Sequence, residues 1–455
     1  MRFRNTLVLL LILAGLGGYL YFVDAPRQRS AADAQQLVQA SADQIDRITL
    51  ARGDQALEIE RREDEWHLVR PVRARADDTA VRTLVNAVAD AKVQQELGPL
   101  EGDPARFGLA EPEVEITIDG PEIEAATVRL GKAAPVGNTA YVQRADGDAI
   151  LLVLAAFRSQ VDKGVDDLRD RSLVDLDDDQ PAWIEIAKGE RKVRFERDEA
   201  SDGWRLVQPE EFAGDDAAID TYLSSLRSLR AASFVAEESP DLEPYGLDSP
   251  RLHVAFGGSE GPLGELSIGG EKSATEFYAK LGGSPTVYTI HDWAYRNLDK
   301  SARDLRDKRL FAFALEDVRA IHVVRKKGEG FRLLREGEAW TVDGVDGKVA
   351  QREIEQFVQD VADLRGYEIV ADEVADPAVF GFDEPELQLS VFAAGDESLG
   401  SVIVGMTDGA DGLKHFNTRR TDASTVVLLR SYLFNRLDRD PQSFVVEADA
   451  AADDA

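Results

Sequence analysis

Few residues of this chain carry chemistry, and each cluster that could do so lacks a part. Gly257-Gly258-Ser259-Glu260-Gly261 matches, letter for letter, the turn that presents a nucleophilic serine. That chemistry needs a strand before the serine and a helix after it, so that the hydroxyl stands clear of the sheet. Here Pro262 and a strand-like run, Leu263 to Ile268, follow instead, so a plain hairpin is expected and Ser259 is not assigned as a nucleophile. Asp175, Asp177 and Asp179 resemble the opening of a calcium loop. Such a loop needs Gly at its sixth position and Glu at its twelfth, where this chain has Gln180 and Ile186. The segment is therefore expected to be a linker, and Asp408-Gly409-Ala410-Asp411-Gly412 a polar hairpin. The five histidines, at 67, 253, 291, 322 and 415, never pair at ligand spacing, and no phosphate-cradling Gly-rich loop is present. With no Cys in the chain, thiol nucleophiles, disulfides, Cys-ligated zinc and iron–sulfur centres are excluded. No catalytic, metal-binding or cofactor-binding residue is assigned, and the protein is expected not to be an enzyme.

Charge narrows the partners. The 455 residues hold 53 Lys and Arg against 85 Asp and Glu, a formal net charge of −32. Such a field repels phosphate backbones, so nucleic acid is not an expected partner, and it opposes docking on anionic lipid.

What does recur is scaffold. A Trp, a helix-opening pair 11 residues later and an aromatic-Gly-apolar-x-x-Pro turn occur three times in the same order. The first copy has Trp66, Asp77-Asp78 and Phe107-Gly108-Leu109-Ala110-Glu111-Pro112. The second has Trp204, Asp215-Asp216 and Tyr245-Gly246-Leu247-Asp248-Ser249-Pro250. The third has Trp340, Gln351-Arg352 and Phe380-Gly381-Phe382-Asp383-Glu384-Pro385. Successive Trp residues lie 138 and 136 apart, so each copy is itself the size of a domain.

The elements that must position these markers follow from periodicity. Ile45 to Leu50, Leu57 to Arg61 and Trp66 to Arg70 place apolar residues at alternate positions, the pattern of half-buried strands. Asp77-Asp78 opens a helix, where a side-chain oxygen accepts an otherwise unpaired N–H. Val81, Leu84, Val85, Val88 and Ala91 then give that helix one apolar face. Strands near 114–118, 126–130, 141–143 and 150–154 and a closing helix over about 154–169 complete the unit. The fold class is α+β: three tandem repeats, each an antiparallel sheet with packed helices, at 43–178, 181–315 and 317–446. The closing segments Asp167-Leu168-Arg169-Asp170-Arg171 and Asp304-Leu305-Arg306-Asp307-Lys308 are expected to form unit-to-unit salt bridges or helix caps. Leu437-Asp438-Arg439-Asp440-Pro441 is taken as their third counterpart, and Glu447 to Ala455 as an acidic disordered tail.

Ahead of the repeats, residues 1–24 read as a cytoplasmic start and transmembrane helix, and 25–42 as a linker. Leu7 to Val23 is uncharged and mostly aliphatic, about 25 Å of helix against a ~30 Å hydrocarbon core. Arg2 and Arg4 precede it, Tyr19, Tyr21 and Phe22 cluster at its far end, and Pro26 follows. An uncleaved inner-membrane anchor crossing once, with the repeats on the periplasmic side, is the expected topology.

The Trp–Asp-Asp–aromatic-Gly-Leu-x-x-Pro series behind one apolar segment resembles the bacterial family called domain of unknown function 4340. That resemblance implies an anchored envelope protein, often encoded beside ABC-type transport components resembling those of gliding motility, and supplies no catalytic residues. The expected function is a non-enzymatic extracytoplasmic scaffold or adaptor whose partners are envelope or transporter proteins. The alternative is a cell-wall glycan or envelope-ligand binding module using Tyr278, Trp293 and Tyr295.

Overall fold

Apolar residues at alternate positions make strands here because one face of each run is buried and the other wet. A computed structural model of the protein describes residues 36–99, 103–176, 181–198, 203–345, 347–409 and 412–446. Its first repeat comprises β1 (Arg47–Arg52), β2 (Gln55–Arg62), β3 (Glu65–Arg70), β4 (Ala74–Arg75), helix α1 (Asp78–Ala89), β5 (Gln95–Pro99), β6 (Val114–Gly120), β7 (Ile123–Ala133), β8 (Thr139–Arg144), β9 (Ala149–Leu154) and the short helices α2 (Ala155–Val161) and α3 (Val165–Leu168). The strands form one antiparallel sheet in the order β4-β3-β2-β1-β6-β7-β8-β9-β5. Ile48, Leu50, Ile59, Ile116 and Ile118 line its inner face and share one core with Val81, Leu84, Val85 and Val88 of α1. Two further sheets, of nine and eight strands, follow the same order, the third without a counterpart of β4. Three α+β repeats are thus present, with helices Asp216–Arg227 and Gln351–Ala362 standing where α1 stands in the first.

Four expectations change. The closing helix is two helices, because the chain leaves helical geometry at the C-cap Asp162 and restarts after Gly164. The strand Gln95–Pro99 was not foreseen: its exposed residues lack alternation, yet it pairs with β9 and ends the sheet. The first and third cores also take in residues from ahead of the bounds expected for their repeats. Leu37 and Val38, assigned to the linker 25–42, are buried in the first core. Leu310 and Phe311, assigned to 181–315, are buried in the third. Burying an apolar pair stabilises the start of a repeat by removing that surface from water.

The fourth change concerns the end of the third repeat. Ala350 N–H donates to Phe444 O, as Asp77 donates to Leu168 and Asp215 to Leu305. Phe444, not Leu437 or Asp438, is therefore the counterpart of Leu168, and the similarity around Arg439 is out of register.

The chain divides into two compact units, which do not follow the repeat boundaries. Among the described residues, one holds the chain to Leu173 with Arg230–Pro240 and Pro285–Ile290; the other holds Val174–Leu229, Asp241–Ser284 and the chain from His291 onward. Strand Ser233–Ala236 of the second repeat thus groups with the first. Among the described residues no helix is long and apolar enough to cross a membrane. The expected anchor, Leu7 to Val23, and the tail from Glu447 lie outside the described residues.

Candidate functional site

The repeated residues serve the backbone first. Trp66, Trp204 and Trp340 are buried, and each donates its backbone N–H to a side-chain oxygen at the start of the following helix. The acceptors are Asp78 at 3.4 Å, Asp216 at 2.8 Å and Gln351 at 2.7 Å. Asp77 and Asp215, one position earlier, cap the helices by accepting from Ala80 and Ala218 at 3.0 and 3.2 Å. In the third repeat the cap position is Ala350, with no side-chain oxygen. Gln351 is therefore the counterpart of Asp78, not of Asp77, because the stretch after Trp340 is one residue shorter. Arg61, Arg197 and Arg335, paired across the strands from the three Trp residues, place their guanidinium groups 5.7, 4.9 and 5.8 Å from the rings.

The aromatic-Gly turns close against the sheet. Gly108, Gly246 and Gly381 have φ of +74°, +62° and +75°, a region that an L side chain adopts only with strain. Each turn also meets a second glycine that the sequence reading passed over: Gly131, Gly269 and Gly405. A Cβ on these would stand 2.3, 2.2 and 2.1 Å from the carbonyl oxygens of Phe107, Tyr245 and Phe380. The signal was available, since the second glycine follows the first by 23, 23 and 24 residues. Pro112, Pro250 and Pro385 sit half-buried just before the strands that follow.

A second recurring device is an ion pair from the first strand of each repeat to the C-cap of its penultimate helix. Arg52 meets Asp162 at 3.2 Å, Lys188 meets Asp299, and Arg325 meets Asp438. In the second repeat Arg191 at 3.1 Å and the Tyr295 hydroxyl at 3.2 Å join the same carboxylate. Burial pushes the Asp299 carboxyl up, but the Lys188 bond and charge, with Tyr295 and Arg191, outweigh it and hold it below the ordinary 3.8. The bond to Asp299 raises the Lys188 ammonium above 10.5. Tyr222 nearby is wholly buried, its hydroxyl has no hydrogen-bond partner, and burial pushes its pKa up.

The third device joins repeat to repeat. Arg169 donates through Nη1 and Nη2 to the two carboxylate oxygens of Glu237, at 2.6 and 3.0 Å, and lies 3.8 Å from the Phe234 ring. Arg306 repeats this on Asp372 at 2.9 Å, donates to the Thr425 hydroxyl at 2.6 Å, and stacks on Phe212 at 3.3 Å. Burial pushes the Arg306 guanidinium down, and Asp372 pulls it back. Both arginines are thus clasps, as the unit-to-unit reading of Arg169 and Arg306 expected. Asp170 and Asp307 instead accept from the backbone N–H two residues on, at Ser172 and Arg309.

The two ends of the series lack the clasp. Strand register makes Pro99 the counterpart of Glu237 and Asp372, since each follows the same bulge in the edge strand of its sheet. Val445, bridged to Val349 as Arg169 is to Ala76 and Arg306 to Gly214, stands where the arginine would be.

One corner of the repeat is open in the first copy and bridged in the second. Asp215 is paired with Arg365. The corresponding corner at Asp77 is a cleft of about 580 Å³, lined by Glu65, Arg75, Asp78, Asp170 and Arg230 among others.

The residues examined for chemistry fall apart in space. Ser259 and Glu260 form the hairpin between strands Leu252–Gly258 and Gly261–Ser273. Asp177, Asp179 and Asp411 lie outside the described residues. Among the described residues no group of three or more His, Asp or Glu side chains could hold a metal ion. Of the three aromatics named for glycan stacking, Tyr278 packs on Tyr245 and Tyr295 stacks on Phe277, while Trp293 is 51% exposed.

The family described as a domain of unknown function, DUF4340, matches twice, over residues 66–203 and 204–349. The chain belongs to the DUF4340 family. The first match spans one Trp-to-Trp period, and the three sheets add a third repeat that the family match covers only at its start. No curated protein matches. Among solved structures, a DnaN sliding clamp (DNA polymerase III subunit beta) from Pseudomonas aeruginosa bound to griselimycin aligns over 88% of this chain and 95% of its own, at 9% identity and a TM-score of 0.12. That likeness is too slight to carry a shared fold.

Proposed function

We propose that this DUF4340 protein is a membrane-anchored extracytoplasmic scaffold or adaptor, an auxiliary part of an ABC-type transport or envelope complex. One observation carries the reading: the residues that recur cap helices, pack cores or join repeats, while equivalent surface positions differ. Ala156, Trp293 and Tyr432 occupy the same helical position and are all exposed. Interiors held constant under varied faces suit a platform that offers different contacts from one backbone design. The apolar run Leu7 to Val23 supplies the tether, and the family resemblance supplies the transport context. Crosslinking in intact cells followed by mass spectrometry tests this. Recovery of envelope or transporter proteins in stoichiometric amounts is expected, and their absence would overturn it.

A second reading, glycan or envelope-ligand binding, draws on Trp293, which lies 6.2 Å from the His291 ring at an interplanar angle of 24°. An exposed indole face is the usual platform for a sugar ring. Pelleting with purified peptidoglycan separates the two readings, since Trp293→Ala would abolish retention only under the second.

A further inference from the structure

The outer face of the first repeat gathers cations at one corner. Glu60, His67 and Arg75 stand directly opposite one another across β2, β3 and β4. Alternation along a strand puts Arg62, two residues beyond Glu60, on that same face. Arg62, His67, Arg73 and Arg75 converge on a cleft of about 410 Å³ that Val69 and Ala74 also line. Among the described residues no carboxylate lines it. The neighbouring acids meet these groups from outside the cleft. Glu60 accepts from Arg62 Nη2 at 2.8 Å, Glu65 lies 3.7 Å from Arg75 and 3.9 Å from His67, and Asp170 lies 4.0 Å from Arg75. Arg73 is exposed and, among the described residues, has no ion-pair partner.

The other repeats fill the same positions in the opposite sense. Strand register places Asp198, Arg205, Glu211 and Ala213 of the second repeat where the first has Arg62, His67, Arg73 and Arg75. There the corner neutralises itself, with Arg205 and Glu211 4.0 Å apart. In the third repeat Glu336 and Thr341 stand in place of Arg62 and His67, and β4 has no counterpart. The cationic corner therefore belongs to the first repeat alone, in a chain whose net charge is −32.

We propose that this cleft is a binding site for a phosphate monoester. Three features select that chemistry. Arg73 in place of Glu211 removes the counter-ion that the second repeat carries within itself, so the balancing anion comes from outside. Guanidinium forks match oxyanions bidentately. A carboxylate has two oxygens, enough for one fork, whereas a phosphate monoester has three to share among Arg62, Arg73 and Arg75. Finally, the cleft exceeds a bare ion and falls within the roughly 300–1,000 Å³ of small-molecule sites, leaving room for the ester's organic group beside Val69. The chain's remote acids do not cancel the site, because charges more than about 8 Å apart across solvent are largely screened at physiological salt.

A soluble ester and a lipid headgroup both present this group, and the test separates them. The full chain, isotope-labelled at arginine and held in detergent micelles, is titrated with phenyl phosphate while the arginine Nε–H resonances are followed by NMR. Saturable shifts at Arg62, Arg73 and Arg75, with Arg205 unmoved, are expected. Acetate should bind at least tenfold more weakly. Arg73→Glu, which installs the second repeat's residue at an exposed position, should weaken binding at least tenfold, and Arg73→Gln should fall between it and wild type. Micelles doped with phosphatidic acid then offer the same group on a lipid. Shifts that Arg73→Glu removes, with either ester or with both, support the site and assign the source. No shifts from either ester, acetate binding as tightly as the esters, or shifts untouched by Arg73→Glu would overturn it, and would leave the crosslinking test of the scaffold reading unaffected.

Discussion

Replacing Glu237 with Gln should destabilise the first joint more than replacing its partner Arg169 with Met. The reason is the asymmetry of the clasp: the Arg169 side chain is 6% exposed, whereas that of Glu237 is 46% exposed. Glu237→Gln keeps the shape but leaves a buried guanidinium facing a neutral amide. Breaking a fully buried pair costs about 3–5 kcal/mol, and water at the half-exposed carboxylate already screens part of that attraction. A loss of roughly 2–3 kcal/mol is expected. Arg169→Met removes the charge, keeps an unbranched stem on the Phe234 ring, and frees a carboxylate that water can rehydrate. That change should cost only about 1 kcal/mol. Native-state hydrogen exchange reads the joint locally, through the Ala231 amide bonded to Arg171 O at 2.8 Å. Faster exchange in Glu237→Gln than in Arg169→Met is the expected result. The reverse order, or a Glu237→Gln protein indistinguishable from wild type, would refute the claim that desolvation of the guanidinium governs the joint.

The two cap aspartates should also part company. Asp77→Ala loses a helix cap, about 1 kcal/mol, while Asp215→Ala also strips Arg365 of its partner and should cost about 2 kcal/mol by urea denaturation. Equal losses would argue that the Arg365 pair contributes nothing. Gly269→Ala sets a Cβ 2.2 Å from Tyr245 O and should lower stability by about 2 kcal/mol or more. Gly147→Ala, with nothing within 4 Å, should be neutral in the same thermal melts. Asp299 titrates below its ordinary 3.8 in the folded protein, so its contribution is complete above that pH and lost as pH falls through the folded value. Asp299→Asn should lower stability at neutral pH and flatten the acid limb of the stability–pH curve below 3.8. The Lys188 shift is upward from 10.5, so its contribution is complete below that pH and disappears as pH rises through the folded value. An acid limb unchanged in Asp299→Asn would show that the carboxylate does not carry this dependence.

By itself the sequence determined the triplication, the strand faces and the helix face that meets them. Those follow from local periods of two and 3.6 residues, and Ile48, Leu50, Val81 and Leu84 are buried where those periods place them. It also contained the second glycine at Gly131, Gly269 and Gly405, visible as a fixed interval but meaningless until a carbonyl was seen at 2.3 Å or less. Tertiary structure decided what lies between distant segments. Arg169 finds Glu237 across 68 residues of sequence, and no local pattern marks that carboxylate among the chain's 85. Strand Gln95–Pro99 exists because β9 offers it an edge, not because its own residues alternate. The same holds for the third repeat, where a hydrogen bond from Ala350 to Phe444 set the register that the look of Leu437-Asp438-Arg439 concealed. Local pattern is written by each residue's neighbours along the chain, whereas these choices depend on which remote surfaces can shed water together.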